Sequence, residues 1–191
     1  MTAAPCEKLW RTAVHEAGHA VVSHRLGFTP EVVTIRPSET TNGHMLDDSD
    51  YCFDPDTGLE LTEEERRHRA AITCHAGLAS ESHFSLAPYE WPTDREHGAL
   101  QDDAMARAHL GSRYSVDAEV EAAVDRCKGE ALKVVGKYQQ DIRKIAETLM
   151  EVTTLTDCEI EHLLREPGPA AASGAERLSR RRELRRLRNQ P

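Results

Sequence analysis

Aromatic residues are scarce in this chain: three Phe, two Trp and four Tyr make up 5% of its 191 residues. A core drawn from that composition must be aliphatic and Ala-rich, which favours helices over a β-sandwich. Nowhere do 18 apolar residues stand in a row, so no membrane span is expected. The first ten residues are too short and too polar to read as a secretory signal. Five cysteines, at positions 6, 52, 74, 127 and 158, are odd in number and form no C-x-x-C pair. That argues against a disulfide framework and a cysteine zinc knuckle, and it points to a reducing, cytoplasmic setting. There is no phosphate-binding G-x-x-x-x-G-K-[ST] loop and no internal repeat.

Positive charge is short as well, and what there is sits at one end. The formal net charge is −9, yet residues 167–191 hold seven Arg and only two Glu, which leaves about −14 on the body. An acidic body argues against nucleic acid as the main partner, and none is expected. We therefore expect one domain over 1–166, then a Pro/Gly linker and an Arg-rich, disordered tail over 167–191. The tail could recruit an acidic partner.

What the chain does have is His15-Glu16-Ala17-Gly18-His19, an H-E-x-x-H. Two imidazoles four residues apart share one face of a helix and can hold one zinc ion from the same side. Glu16 then stands within reach of a water activated by that ion and can serve as general base for amide hydrolysis. Such a pair on a surface helix is commonly solvated and inert. Here Ala13, Val14, Ala17, Ala20, Val21 and Val22 make the helix apolar, and a Glu between two His in such a setting is costly to bury without a metal. Thr12 is read as the N-cap of this helix.

Gly27 and Pro30 are expected to end the helix. Val32-Val33-Thr34-Ile35 predicts a strand over 31–36, with a short second strand over 43–46. The acidic stretch 47–59 reads as a loop; it lacks the spaced ligands and closing Glu of an EF-hand, so calcium is not expected. Thr62 and Glu65 make a capping box that opens a helix running to about His83. Residues 86–96 read as a loop. Further helices are predicted from about Ala99 to Leu110, Asp117 to Tyr138, Asp141 to Val152 and Asp157 to Leu164. The predicted fold is mainly α, with a small β-hairpin or edge strand beside the motif helix.

Four segments, in order, resemble the peptidase domain of the FtsH family of ATP-dependent zinc metalloproteases. They are V-H-E-A-G-H-A-V-V at 14–22, V-V-T-I-R-P at 32–37 followed by Gly43, A-I-T-C-H-A-G-L-A-S-E at 71–81, and G-A-L-Q-D-D-A-M-A at 98–106. Residues 145–164 are similar to the family's last helices, so the likeness spans about 8–166. The chain resembles the protease part alone, without an ATPase domain.

The resemblance implies a third zinc ligand, the Asp of the family's N-D pair. Counted from Gly98-Ala99 this is Asp102, with Asp103 as its rival and Glu81 as an outside choice. Leu78 stands where the family has Arg, and Gln101 replaces its Asn. His75 and His97 are placed near the cleft without metal-ligand spacing.

The expected function is thus a zinc-dependent endopeptidase acting on peptides or unfolded proteins, independent of ATP. His15, His19 and Asp102 would hold Zn2+ and Glu16 would be the base. A non-catalytic, zinc-stabilised binding or adaptor module is the alternative, and association into a homo-oligomer stays open. An edge strand after the motif helix is expected to hold the peptide by strand addition.

Overall fold

A computed structural model describes residues 5–37, 43–48, 52–84, 97–111 and 117–165. The predicted loop at 86–96 and the linker and tail at 167–191 lie outside them. The fold is mainly α with a small antiparallel sheet, as the composition predicts.

Helix α1 spans Pro5–Arg25 and is the centre of the molecule, packed against α3 (Ala76–His83) and α6 (Gln139–Val152). It begins well before Thr12. Pro5 costs no hydrogen bond in a first turn, and the Thr12 hydroxyl turns back to the Lys8 carbonyl at 3.2 Å instead of capping. Ala13, Val14, Ala17, Ala20, Val21 and Val22 are fully buried. The end is as expected. Gly27 adopts φ 95°, Phe28 N–H donates to the Ser23 carbonyl at 3.1 Å, and Gly27 N–H donates to His24 at 3.3 Å. This pairing satisfies the last carbonyls of the helix and needs a left-handed residue at Gly27.

Strand β1 (Thr29–Thr34) pairs antiparallel with β2 (His44–Asp48), the expected hairpin. The register shifts between Pro30 and Val32, a bulge that accommodates a residue with no N–H to give. A third strand, β3 (Thr154–Thr156), pairs with β1 on its other side. It was not expected, because three residues after a helix carry no period to read. The order β2-β1-β3 puts β1 in the middle and leaves β2 at an edge. The turn into β3 depends on Thr153, held at φ 64°, whose carbonyl accepts from Ile35 N–H at 2.9 Å.

The capping box is present: Thr62 Oγ1 accepts from Glu65 N–H, and Glu65 returns a carboxylate oxygen to Thr62 N–H at 2.9 Å. The helix it opens, α2 (Glu63–Cys74), is not continuous to His83. It breaks at His75, and α3 follows. Helices α4 (His97–Gly111), α5 (Asp117–Lys137) and α7 (Asp157–Arg165) complete the described chain.

The acidic stretch is more ordered than its composition suggests. Asp47 and Asp48 belong to β2. Asp54 accepts from Thr57 N–H at 2.9 Å and pairs with Arg69 at 2.5 Å, while Phe53 N–H donates to the Gly27 carbonyl at 3.1 Å. Residues 52–60 are therefore tied to the C-terminal end of α1, about 10 Å along the helix from His19.

Candidate metal centre

His15 and His19 leave one face of α1 and turn toward α4. His15 Nε2 lies 3.1 Å from His19 Nε2 and 3.2 Å from Asp102 Oδ2, and His19 Nε2 lies 3.3 Å from the same Oδ2. Among the described residues, these three are the His, Cys, Asp and Glu side chains that gather as metal ligands do. Donors bonded at 2.0–2.2 Å in tetrahedral directions stand about 3.3 Å apart, so the triangle has the spacing that zinc requires.

The other ring nitrogens decide the tautomers. His19 Nδ1 faces the Thr73 carbonyl at 2.8 Å, and a carbonyl can only accept. His15 Nδ1 faces Glu81 Oε1 at 2.7 Å. Each Nδ1 therefore carries the hydrogen, and in the neutral rings both Nε2 atoms present lone pairs. Two lone pairs and a carboxylate oxygen converge on one another. That arrangement is repulsive unless something positive sits among them.

A proton on the imidazoles can supply that charge. Burial pulls His15 down, yet its hydrogen bonds to Asp102 and Glu81 outweigh this and hold it well above the ordinary histidine range. His19 is raised too: burial lowers it, and the charge and hydrogen bond of Asp102 more than compensate. Burial would raise Asp102, but His19 and His15 bring it below the usual carboxylate range. Donors gathered in this way suit a cation, and a divalent ion would compete with protons for them.

Around these three side chains lie further partners. Glu81 is almost fully buried. Burial acts to raise its carboxyl, but the His15 hydrogen bond and charge, and then those of Arg11, lower it. One of its oxygens accepts from His15 Nδ1 and the other from Arg11 Nε. A carboxylate behind a ligating imidazole fixes the ring and strengthens it as a donor. Glu81, the outside choice for a ligand, lies outside the His15, His19 and Asp102 group and is engaged by His15 Nδ1 and Arg11. Asp103, the rival to Asp102, points elsewhere, to Arg107 at 2.6 Å and Lys128 at 3.6 Å.

Glu16 is buried beside the cluster and feels the charges of His15, His19 and Asp102; burial, the largest influence, raises it. Gly43 closes its far side: a Cβ there would stand 2.9 Å from Glu16 Cγ and 3.0 Å from Oε1. No protein-family model matches the chain, and no curated protein does.

Several contributors escaped the sequence reading. Thr73 acts through its backbone, and no side-chain pattern announces a carbonyl. Arg11 precedes the motif by one helical turn, a spacing that suggests a neighbour of His15 but not its link to Glu81. His75 is fully buried at the α2–α3 break and stands outside the His15, His19 and Asp102 group. For His97, only its place at the start of α4 is described. Leu78, which stands where the family that the chain resembles has Arg, is buried in α3.

Proposed function

We propose that the chain is a zinc metallopeptidase of the FtsH peptidase type, acting on peptides and unfolded proteins without ATP. One observation carries this reading. The two motif imidazoles and a carboxylate from a distant helix converge within 3.3 Å, with a buried glutamate next in sequence to the first of them. His15 Nε2, His19 Nε2 and Asp102 Oδ2 would hold the ion. Bound there, zinc supplies Lewis acidity to a water and to a peptide carbonyl.

The protein's own groups do the rest. Glu16, raised by burial, is a better proton acceptor near neutral pH than a solvated glutamate. Its carboxylate takes a proton from the attacking water and later gives it to the leaving amine. Glu81 and the Thr73 carbonyl hold the imidazoles by their Nδ1 hydrogens.

Among the described residues, strand β2 has β1 on one side only and carries Leu46, which is half exposed. An extended peptide can add to that edge through main-chain hydrogen bonds. Such binding needs an unfolded segment. Opening a stable domain opposes about 5–15 kcal/mol, which a cleft does not supply. A phosphate-binding loop of the kind that powers unfolding motors does not occur in the 191 residues.

The test joins metal content to hydrolysis. Purified protein is expected to carry about one zinc per chain, lost in His15→Ala and His19→Ala. Glu16→Gln should keep the zinc and lose about 10²–10⁴ in rate on an unfolded substrate such as casein. A native protein without metal would sink the reading. Full zinc with unchanged hydrolysis in Glu16→Gln would exclude the base. Full zinc with no hydrolysis even in the native protein would favour the adaptor.

A further inference from the structure

Gly77 is the second residue of α3, in its first turn, where the helix itself has no need of glycine. Its backbone is not left-handed, and alanine at such a position lowers the conformational cost of the helix. Something other than local stability must favour glycine there. A Cβ built on Gly77 would stand 2.5 Å from His15 Nε2, 2.5 Å from His19 Nε2 and 2.6 Å from His15 Cε1. All three nearest atoms belong to the two motif imidazoles, and ordinary carbon contacts are about 3.5–4.0 Å. Gly18, across the same helix pair, differs. Its Cβ would meet Ser80 Oγ at 2.2 Å and the Ala76 carbonyl at 2.7 Å, so its role is to let α1 and α3 approach.

We propose that Gly77 is a positioning residue of the metal centre, in that the side chain it lacks is the space in which the His15 and His19 ligand atoms converge. A methyl group at 77 would have to displace both rings. They are not free to swing, because Glu81 holds His15 Nδ1 at 2.7 Å and the Thr73 carbonyl holds His19 Nδ1 at 2.8 Å. Either these holding bonds break or the two Nε2 atoms part, and both outcomes spoil the donor triangle while leaving the helices packed. The inference rests on the zinc reading and adds a residue that contributes no ligand atom.

The experiment compares wild type with Gly77→Ala by far-UV circular dichroism, thermal melting and zinc affinity in chelator competition. Loss of a single supporting contact costs about 10–100-fold in metal affinity. Moving both rings should cost Gly77→Ala about 100-fold or more, with the helical spectrum retained. Wild-type affinity in a folded Gly77→Ala would overturn the proposal. Should Gly77→Ala fail to fold, the same substitution is made in a His15→Ala/His19→Ala background, where the three clashing atoms are gone. There it is expected to fold and to melt no lower than its glycine parent, and failure to fold there overturns the proposal too. A wild type that takes up no zinc would be a different failure, that of the metallopeptidase reading itself.

Discussion

At the scale of single residues, the two neighbouring carboxylates of α4 divide cleanly. Asp102 meets both imidazoles, whereas Asp103 is engaged by Arg107 and Lys128. Adjacent helical positions point about 100° apart, so one cannot replace the other without turning the helix. Asp102→Asn should weaken zinc binding far more than Asp103→Asn, as chelator competition would rank them; the reverse order would move the ligand assignment by one residue. Glu81→Gln tests the shell behind the ligand. It keeps a hydrogen-bond acceptor for His15 but removes the charge, and a loss of about 10–100-fold in zinc affinity is expected. Unaltered affinity would reduce Glu81 to a packing residue.

At the scale of elements, the break at His75 matters more than any single helix. The last carbonyls of a helix have no donor within it. Ending α2 at Cys74 puts the Thr73 carbonyl in the last turn, where it accepts from His19 Nδ1, and restarting at Ala76 brings Gly77 against both rings. One continuous helix over 63–83 would tie that carbonyl into its own ladder. The start of α2 was readable because a capping box is local chemistry. Thr62→Ala removes the acceptor for Glu65 N–H and should cost about 1 kcal/mol, or roughly 2–4 °C in melting temperature, without changing zinc content. A drop in zinc content would mean that the N-terminus of α2 is coupled to the site. The acidic stretch shows the reverse case. Residues 52–59 are a loop, as composition suggested, but Arg69 and the Gly27 carbonyl, both distant in sequence, hold Asp54 and Phe53 in place.

At the scale of the whole molecule, burial of His75 links stability to pH. Its pKa is brought down to about 4 by burial first and by the Lys128 charge second, against 6.5 for a free imidazole. As pH falls through this window the unfolded chain takes up the proton and the folded one does not. Stability is thus full above 6.5 and lost toward 4, by an amount on the order of 3 kcal/mol. His15 and His19, which are raised, act in the opposite sense but are common to wild type and variant. Urea midpoints at pH 7, 5.5 and 4.5 should decline less steeply in His75→Leu than in wild type. Parallel slopes would show that His75 is not the group responsible.

By itself the sequence determined what rests on neighbours within a few residues. The helical class, the i,i+4 histidine pair with its glutamate, the glycine that ends α1 and the capping box of α2 all follow from short-range periodicity and backbone chemistry. The β1–β2 hairpin follows from a β-branched run with a turn after it. Only the tertiary structure decided the rest. It brought Asp102 and not Asp103 to the two imidazoles, set Glu81 and the Thr73 carbonyl behind the rings, placed Gly77 against them, and added β3 to make β1 the middle strand. Each of these is a contact between residues far apart in the chain, fixed by how α1 packs on α3 and by where α2 and α4 then fall. A one-dimensional pattern can name the groups that could bind an ion, but their convergence is a property of the packing.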